Sequence, residues 1–127
     1  MNEYTLYYFD VYGRGEAARI MLSHAGVPFQ DKRVADNEWP TLKSQIPGGT
    51  MPCLELSDGT KMGQSKAIMR YLGGKHGYQP HDALAAYKSD SISDAYHDFF
   101  PLMGAPLSCN PALKSQKIGH LFSEALP

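Results

Sequence analysis

Tyr8 stands shortly before Gly13-Arg14-Gly15, and the two together raise two chemistries. A phenol closing an aromatic, β-prone run can donate its hydroxyl to an anion, or it can be one of eight tyrosines packing a core. The glycines, read on into Glu16-Ala17-Ala18, fit the loose G-x-G-x-x-G/A pattern that opens a dinucleotide-binding helix. Farther along, Gln64-Ser65 precedes an apolar-periodic segment, so a serine hydroxyl and free backbone N–H groups form either a carboxylate site or a plain helix cap. Asp90, Asp94 and Asp98 share one helical face, where like charges repel and ask for a cation or a partner; a solvated acidic face is the alternative. The two cysteines, Cys53 and Cys109, lie far apart and form no C-x-x-C pair, so neither a metal knuckle nor a redox dithiol is indicated. Among the histidines His24, His76, His81 and His120 show no metal spacing, and no metal site is expected.

The composition sets the frame for these groups. An apolar fraction of 43% with 20% charged residues over 127 residues is that of an ordinary globular chain with one modest core. No apolar run approaches the roughly 18 residues of a membrane helix, and MNEYTLYYFD lacks the basic-then-apolar order of a leader. A cytoplasmic location is the expectation. Net charge near zero with scattered Lys and Arg gives no footprint for nucleic acid, so a small, locally bound ligand is expected instead.

The elements that must position the site follow from periodicity. Tyr4 to Phe9 predicts a strand, and Arg14 to His24 a helix ending on Gly26. Phe29 to Val34 predicts a second strand, with one or two helical turns over Glu38 to Gln45. Cys53 to Leu56 and Thr60 to Met62, joined by Ser57-Asp58-Gly59, predict an antiparallel hairpin. Gln64 to Lys75 predicts a helix with Ala67, Ile68, Tyr71 and Leu72 on one face and Gly73-Gly74 as its stop. Tyr78 to His81 reads as a linker. Beyond it Asp82 is placed to cap a helix with Ile92, Ala95, Tyr96, Phe99, Phe100 and Met103 as an apolar stripe, and Asn110-Pro111 to open another. The third unit is thus a hairpin, whereas a dinucleotide fold needs a third parallel strand. The glycine turn is therefore expected to be structural.

The order β-α-β-α-β-β-α with Met-Pro before the third strand resembles the thioredoxin-like domain of cytosolic glutathione transferases. The motifs are LYYF with Tyr8, GRGEAAR, Glu38-Trp39-Pro40-Thr41-Leu42-Lys43, MPCLEL and GQSKAIMRYL. They resemble the Tyr-type enzymes, and most of all the sigma class, which includes glutathione-dependent prostaglandin D synthases. The likeness covers Tyr4 to about Phe100. It implies an α/β thioredoxin-like domain with a mixed sheet over residues 1–78, then residues 82–127 as a partial all-helical domain. Family members continue through further helices that wall the electrophile site.

The resemblance assigns roles. Tyr8 would donate its hydroxyl to the sulfur of glutathione, with Arg14 beside it polarising the thiolate region; an ion pair with Glu16 is the alternative for that arginine. The backbone of Met51, before a cis Pro52, would pair with the cysteinyl part of glutathione. Gln64 and Ser65 would take the γ-glutamyl end, Trp39 and Lys43 the glycyl carboxylate. Asp98 would reach across a homodimer to the α-amino group of glutathione on the other subunit. Two functions follow. One is a glutathione transferase in which the thiolate attacks a small hydrophobic electrophile or adds reversibly in an isomerisation. The other is a non-catalytic module of the same fold, docking in a larger assembly.

Overall fold

A computed structural model describes residues 1–108 of the chain, with side chains through Leu102. β1, Tyr4–Tyr8, alternates buried and half-buried residues, as a strand covered more on one face than the other must. Tyr4, Leu6 and Tyr8 point to the covered face and Thr5 and Tyr7 to the other. A 3-10 turn at Gly13–Gly15 leads into α1, Glu16–His24, which ends on Gly26 at φ +65°. β2, Phe29–Arg33, then lies parallel to β1, with Tyr4 opposite Phe29 and Tyr8 opposite Arg33.

The expected short helical stretch is α2, Trp39–Leu42, continued as a 3-10 turn over Lys43–Gln45. β3, Cys53–Leu56, runs antiparallel to β1, and β4, Lys61–Met62, antiparallel to β3. The sheet order is β2-β1-β3-β4, a mixed sheet. The antiparallel third strand removes the dinucleotide reading, because the phosphate crevice of that fold lies at the carboxyl ends of parallel strands. α3, Ser65–His76, packs beside α1 on one face of the sheet. Between them and β1 and β3 lies the core of Tyr4, Leu6, Ala18, Leu22, Leu54, Ile68 and Leu72. Each fully buried leucine there contributes about 1.5–3 kcal/mol.

Gly73-Gly74 does not stop α3. The helix continues through both and ends at Gly77, which takes the left-handed conformation at φ +78°. The chain folds back so that the N–H groups of Tyr78 and Gln79 both donate to the Gly73 carbonyl, at 2.8 and 3.0 Å. Gly73 is thus where the linker returns, and Gly77 is the cap.

α4, Ala83–Ser108, opens where the Asp82 carboxylate accepts the Ala85 N–H at 2.9 Å. Its stripe is not uniformly covered: Phe99 and Phe100 are half-buried, but Ile92 is 73% and Tyr96 41% exposed. Cys109 and the helix expected from Asn110-Pro111 lie outside the described residues. The chain divides into two compact units between Pro80 and His81. Among the described residues no helix is long and apolar enough to cross a membrane.

Candidate functional site

Alternation along β1 turns the Tyr8 side chain to the covered face at the very end of the strand, leaving it 6% exposed. The chain then returns over its ring. The Arg14 backbone N–H donates to the Tyr8 hydroxyl at 2.9 Å. A Cβ on Gly13 would stand 2.5 Å from that hydroxyl oxygen, and a Cβ on Gly15 would stand 2.5 Å from the ring's Cγ. The glycines therefore do more than turn the chain: they let the backbone lie directly on the tyrosine. Because the hydroxyl accepts one bond, its own proton is left to donate, and a hydroxyl that accepts is polarised into a better donor.

Arg14 meets Tyr8 through its main chain. Its half-buried side chain belongs to the same turn, but Glu16 gives its carboxylate to Arg19, at 3.0 Å across one helical turn. Arg19 carried no expected role. It lies 6% exposed beneath the loop, bonded to Asp31 and to the carbonyls of Phe9 and Val11, with its guanidinium 5.7 Å from the Tyr8 ring centroid. A single arginine on a helix gives no sign in sequence of being buried; only its place inside GRGEAAR hinted at a role.

The other expected residues flank this centre. The Phe9 ring stands 5.8 Å from Tyr8 on one side and 5.8 Å, edge to face, from the half-buried Trp39 on the other. α2 is tied to β2 by Lys32 and Glu38 at 3.2 Å, and the Glu38 carboxylate also accepts the Ala35 N–H, which with Lys32 holds its pKa low. Lys43 follows one turn after Trp39, exposed, with its aliphatic stem against Gly49. The Met51-Pro52 bond is cis. Since Tyr7 faces Cys53 in the antiparallel register, Pro52 comes level with Tyr8.

At the start of α3, Gln64 and not Ser65 occupies the N-cap, and the Gln64 side chain makes no capping bond. Gln64 has φ +69°, a left-handed conformation that costs a non-glycine residue on the order of 1 kcal/mol or more and is held where surroundings demand it. Ser65, 9% exposed, starts the helix behind it. Asp90, Asp94 and Asp98 all lie on α4 in the second unit, Asp98 exposed. Among the described residues no three His, Cys, Asp or Glu side chains converge as metal ligands.

The opposite face of the sheet has its own features. A cavity of about 320 Å³ opens between Tyr7, Lys32 and Val34 of the sheet side and Thr41, Leu42 and Gln45 near α2, away from the Tyr8 hydroxyl. The Tyr7 hydroxyl donates to Glu55 at 2.7 Å. Cys53 is a buried free thiol whose pKa burial pushes up, which suits packing and not nucleophilic chemistry.

Residues 15–75 match the family described as glutathione S-transferase, N-terminal domain. Glutathione S-transferase 1 of Ascaris suum is 43% identical over 99 residues, 78% of this chain and 48% of that protein. S-crystallin SL18 of Nototodarus sloanii is 37% identical over 100 residues, 79% of this chain and 32% of that protein. The solved structure of prostaglandin synthase D of Nilaparvata lugens superposes with TM-score 0.84 at 38% identity, covering 95% of this chain and 61% of the other. A sigma-class transferase of Fasciola hepatica gives TM-score 0.86 at 28% identity over 97% of this chain and 60% of its own. The chain thus spans about half the length of the Ascaris relative. With the domain match, these identities and the shared fold, the chain belongs to the glutathione S-transferase family, whose cosubstrate is glutathione.

Proposed function

We propose that the chain binds glutathione and activates its thiol, for transfer to a small hydrophobic electrophile or for a glutathione-dependent isomerisation of the sigma-class kind. The observation that carries this is the buried Tyr8 hydroxyl, which accepts the Arg14 N–H and keeps a proton to donate. Glutathione, when bound, supplies the sulfur nucleophile. A thiol of pKa about 8.5 is mostly protonated at neutral pH, and lowering it by two units needs about 2.7 kcal/mol of preference for the thiolate. One hydrogen bond to a charged acceptor contributes roughly 1.5–3 kcal/mol, so a single well-aimed hydroxyl has the right size.

The donor set fits the rest of an anionic tripeptide. In this reading Gln64 and Ser65, at the start of a twelve-residue helix, hold the γ-glutamyl carboxylate, and the Met51 main chain pairs with the cysteinyl part like an added strand. Trp39 and Lys43 hold the glycyl carboxylate, the indole by its one N–H and the lysine by charge. Asp98 meets the α-amino group from the second subunit of a homodimer. Residues 1–78 then form the glutathione-binding domain of a cytoplasmic protein, and residues 82–127 part of a helical one. The Cys53 burial argues against a thiol-transferase.

The likeness to an S-crystallin favours a second reading, in which the same fold serves without chemistry. Calorimetric titration with glutathione, with the bound thiolate followed by ultraviolet absorbance against pH, separates the two. Wild-type binding with a depressed thiol pKa, restored toward about 8.5 in Tyr8→Phe, supports activation. No binding at millimolar glutathione would support the second reading.

A further inference from the structure

Among the described residues Arg19 is the one charged side chain that is buried, and its bonds exceed what neutralising one charge requires. Its Nε donates to Asp31 on β2 at 3.0 Å and one terminal nitrogen to Glu16 at 3.0 Å. The remaining bonds go to main chain: Val11 carbonyl at 2.7 Å and Phe9 carbonyl at 3.1 Å. Both carbonyls belong to the segment that leaves Tyr8 and returns, through Gly13 and Arg14, to put an N–H on the Tyr8 hydroxyl. A guanidinium is a planar fork, so fixing two of its edges to carboxylates fixes where the other bonds must point. Asp31 is itself held by Arg33 at 2.9 Å, which anchors the fork to the sheet. The guanidinium also faces the Tyr8 ring, 5.7 Å from its centroid.

We propose that Arg19 is a positioning residue for Tyr8: it clamps the Phe9–Val11 segment so that the Arg14 N–H and the Tyr8 hydroxyl stay aligned. The catalytic consequence rests on the thiol-activating reading above; the mechanical one does not. Apart from facing the Tyr8 ring, Arg19 bonds to Asp31, Glu16 and the Phe9 and Val11 carbonyls, none of which is proposed to hold the carboxylates or main chain of glutathione, so losing the clamp lowers turnover more than affinity. Lysine keeps the charge but, as a point donor on a flexible stem, cannot hold two carboxylates and two carbonyls in one plane.

The test compares wild type with Arg19→Lys in two measurements. The first, without ligand, is amide hydrogen exchange, with Leu6 and Leu72 reporting global stability. The Arg14 amide is expected to exchange at least tenfold faster in the variant after correction for any change at Leu6 and Leu72. The second is steady-state conjugation of glutathione to an activated aryl chloride, with an expected kcat loss of tenfold or more and a glutathione KM within threefold. Arg14 exchange that stays put, or moves only in step with Leu6 and Leu72, overturns the inference, as does a raised KM with kcat unchanged. Should Arg19→Lys fail to fold, Asp31→Asn frees one edge of the fork and is expected to give the same pattern at about a third of the size; no change at the Arg14 amide there overturns it equally. Wild type that binds no glutathione sinks the functional reading alone, because the exchange result still decides the clamp.

Discussion

At Gly13 two physical constraints coincide: a φ of +41°, and a position where a Cβ would stand 2.5 Å from the Tyr8 hydroxyl oxygen and 3.1 Å from its Cε1. Alanine there meets the left-handed penalty of roughly 1–2 kcal/mol and also displaces either the loop or the hydroxyl. Gly13→Ala is therefore expected to lower stability by about that amount in urea unfolding and to lose most of the thiolate absorbance of bound glutathione at neutral pH. A variant with full thiolate signal would show that the loop can yield without moving Tyr8. On the other face of the sheet Tyr7 gives a pH test. Burial, then the bond to Glu55, push its phenol from the ordinary 10 up to about 12. The folded state thus holds this proton more tightly than the unfolded chain. Its contribution to stability is complete below pH 10 and is lost as pH climbs from there through about 12. Urea unfolding in that window is expected to show a shallower loss for Tyr7→Phe than for wild type, with part of the fall remaining because burial also raises Tyr4. Equal slopes would remove Tyr7 from the alkaline limb.

At the end of α3, two glycines carry opposite meanings for one residue type. Gly74 is exposed in the helix, where an added Cβ meets nothing within 4 Å, so Gly74→Ala is expected to stabilise by about 0.5–1 kcal/mol. Gly77 closes the helix at φ +78°, so Gly77→Ala is expected to destabilise by about 1 kcal/mol or more. Thermal unfolding of the two variants with opposite signs checks the cap assignment; a shared sign would contradict it. The same helix shows what sequence can carry. Local pattern was enough for β1 to β4, since aromatic and β-branched runs, the Asp58-Gly59 turn and the alternation of β1 are all short-range signals. The paired glycines misled because punctuation is read locally, whereas the Gly73 carbonyl is satisfied by a chain that turns back only after Gly77. Gln64 hid its left-handed backbone for a similar reason: glutamine has no propensity for it, and only the surrounding fold imposes φ +69°. Arg19 hid because its partners, Asp31 and the Phe9 and Val11 carbonyls, lie on other elements. The residues gathered at Tyr8 were legible as a motif; what holds them in place was not.

For the molecule as a whole, the proposed ligand residues divide unevenly. Tyr8, Arg14, Trp39, Lys43, Met51, Pro52, Gln64 and Ser65 fall before the boundary at Pro80, and Asp98 alone falls after it. If Asp98 serves the glutathione of a second subunit, its contribution exists only in the dimer, and linkage makes the effect reciprocal: if dimerisation tightens each of the two sites by one factor, filling both sites tightens the dimer by the square of that factor. A hydrogen bond between charged groups contributes roughly 1.5–3 kcal/mol, or about 10- to 100-fold in affinity. Wild type is therefore expected to bind glutathione more weakly when diluted below its dimer dissociation constant, and saturating glutathione to lower that constant in sedimentation by the square of the per-site factor. In Asp98→Asn the affinity is expected to drop about tenfold at high protein concentration and to lose most of its dependence on dilution. A drop that persists unchanged in the dilute monomer would place the Asp98 effect within one chain, and equal affinity in both proteins would remove Asp98 from the site. Either result would leave the Tyr8 centre standing, because every contact that defines it lies in the first unit.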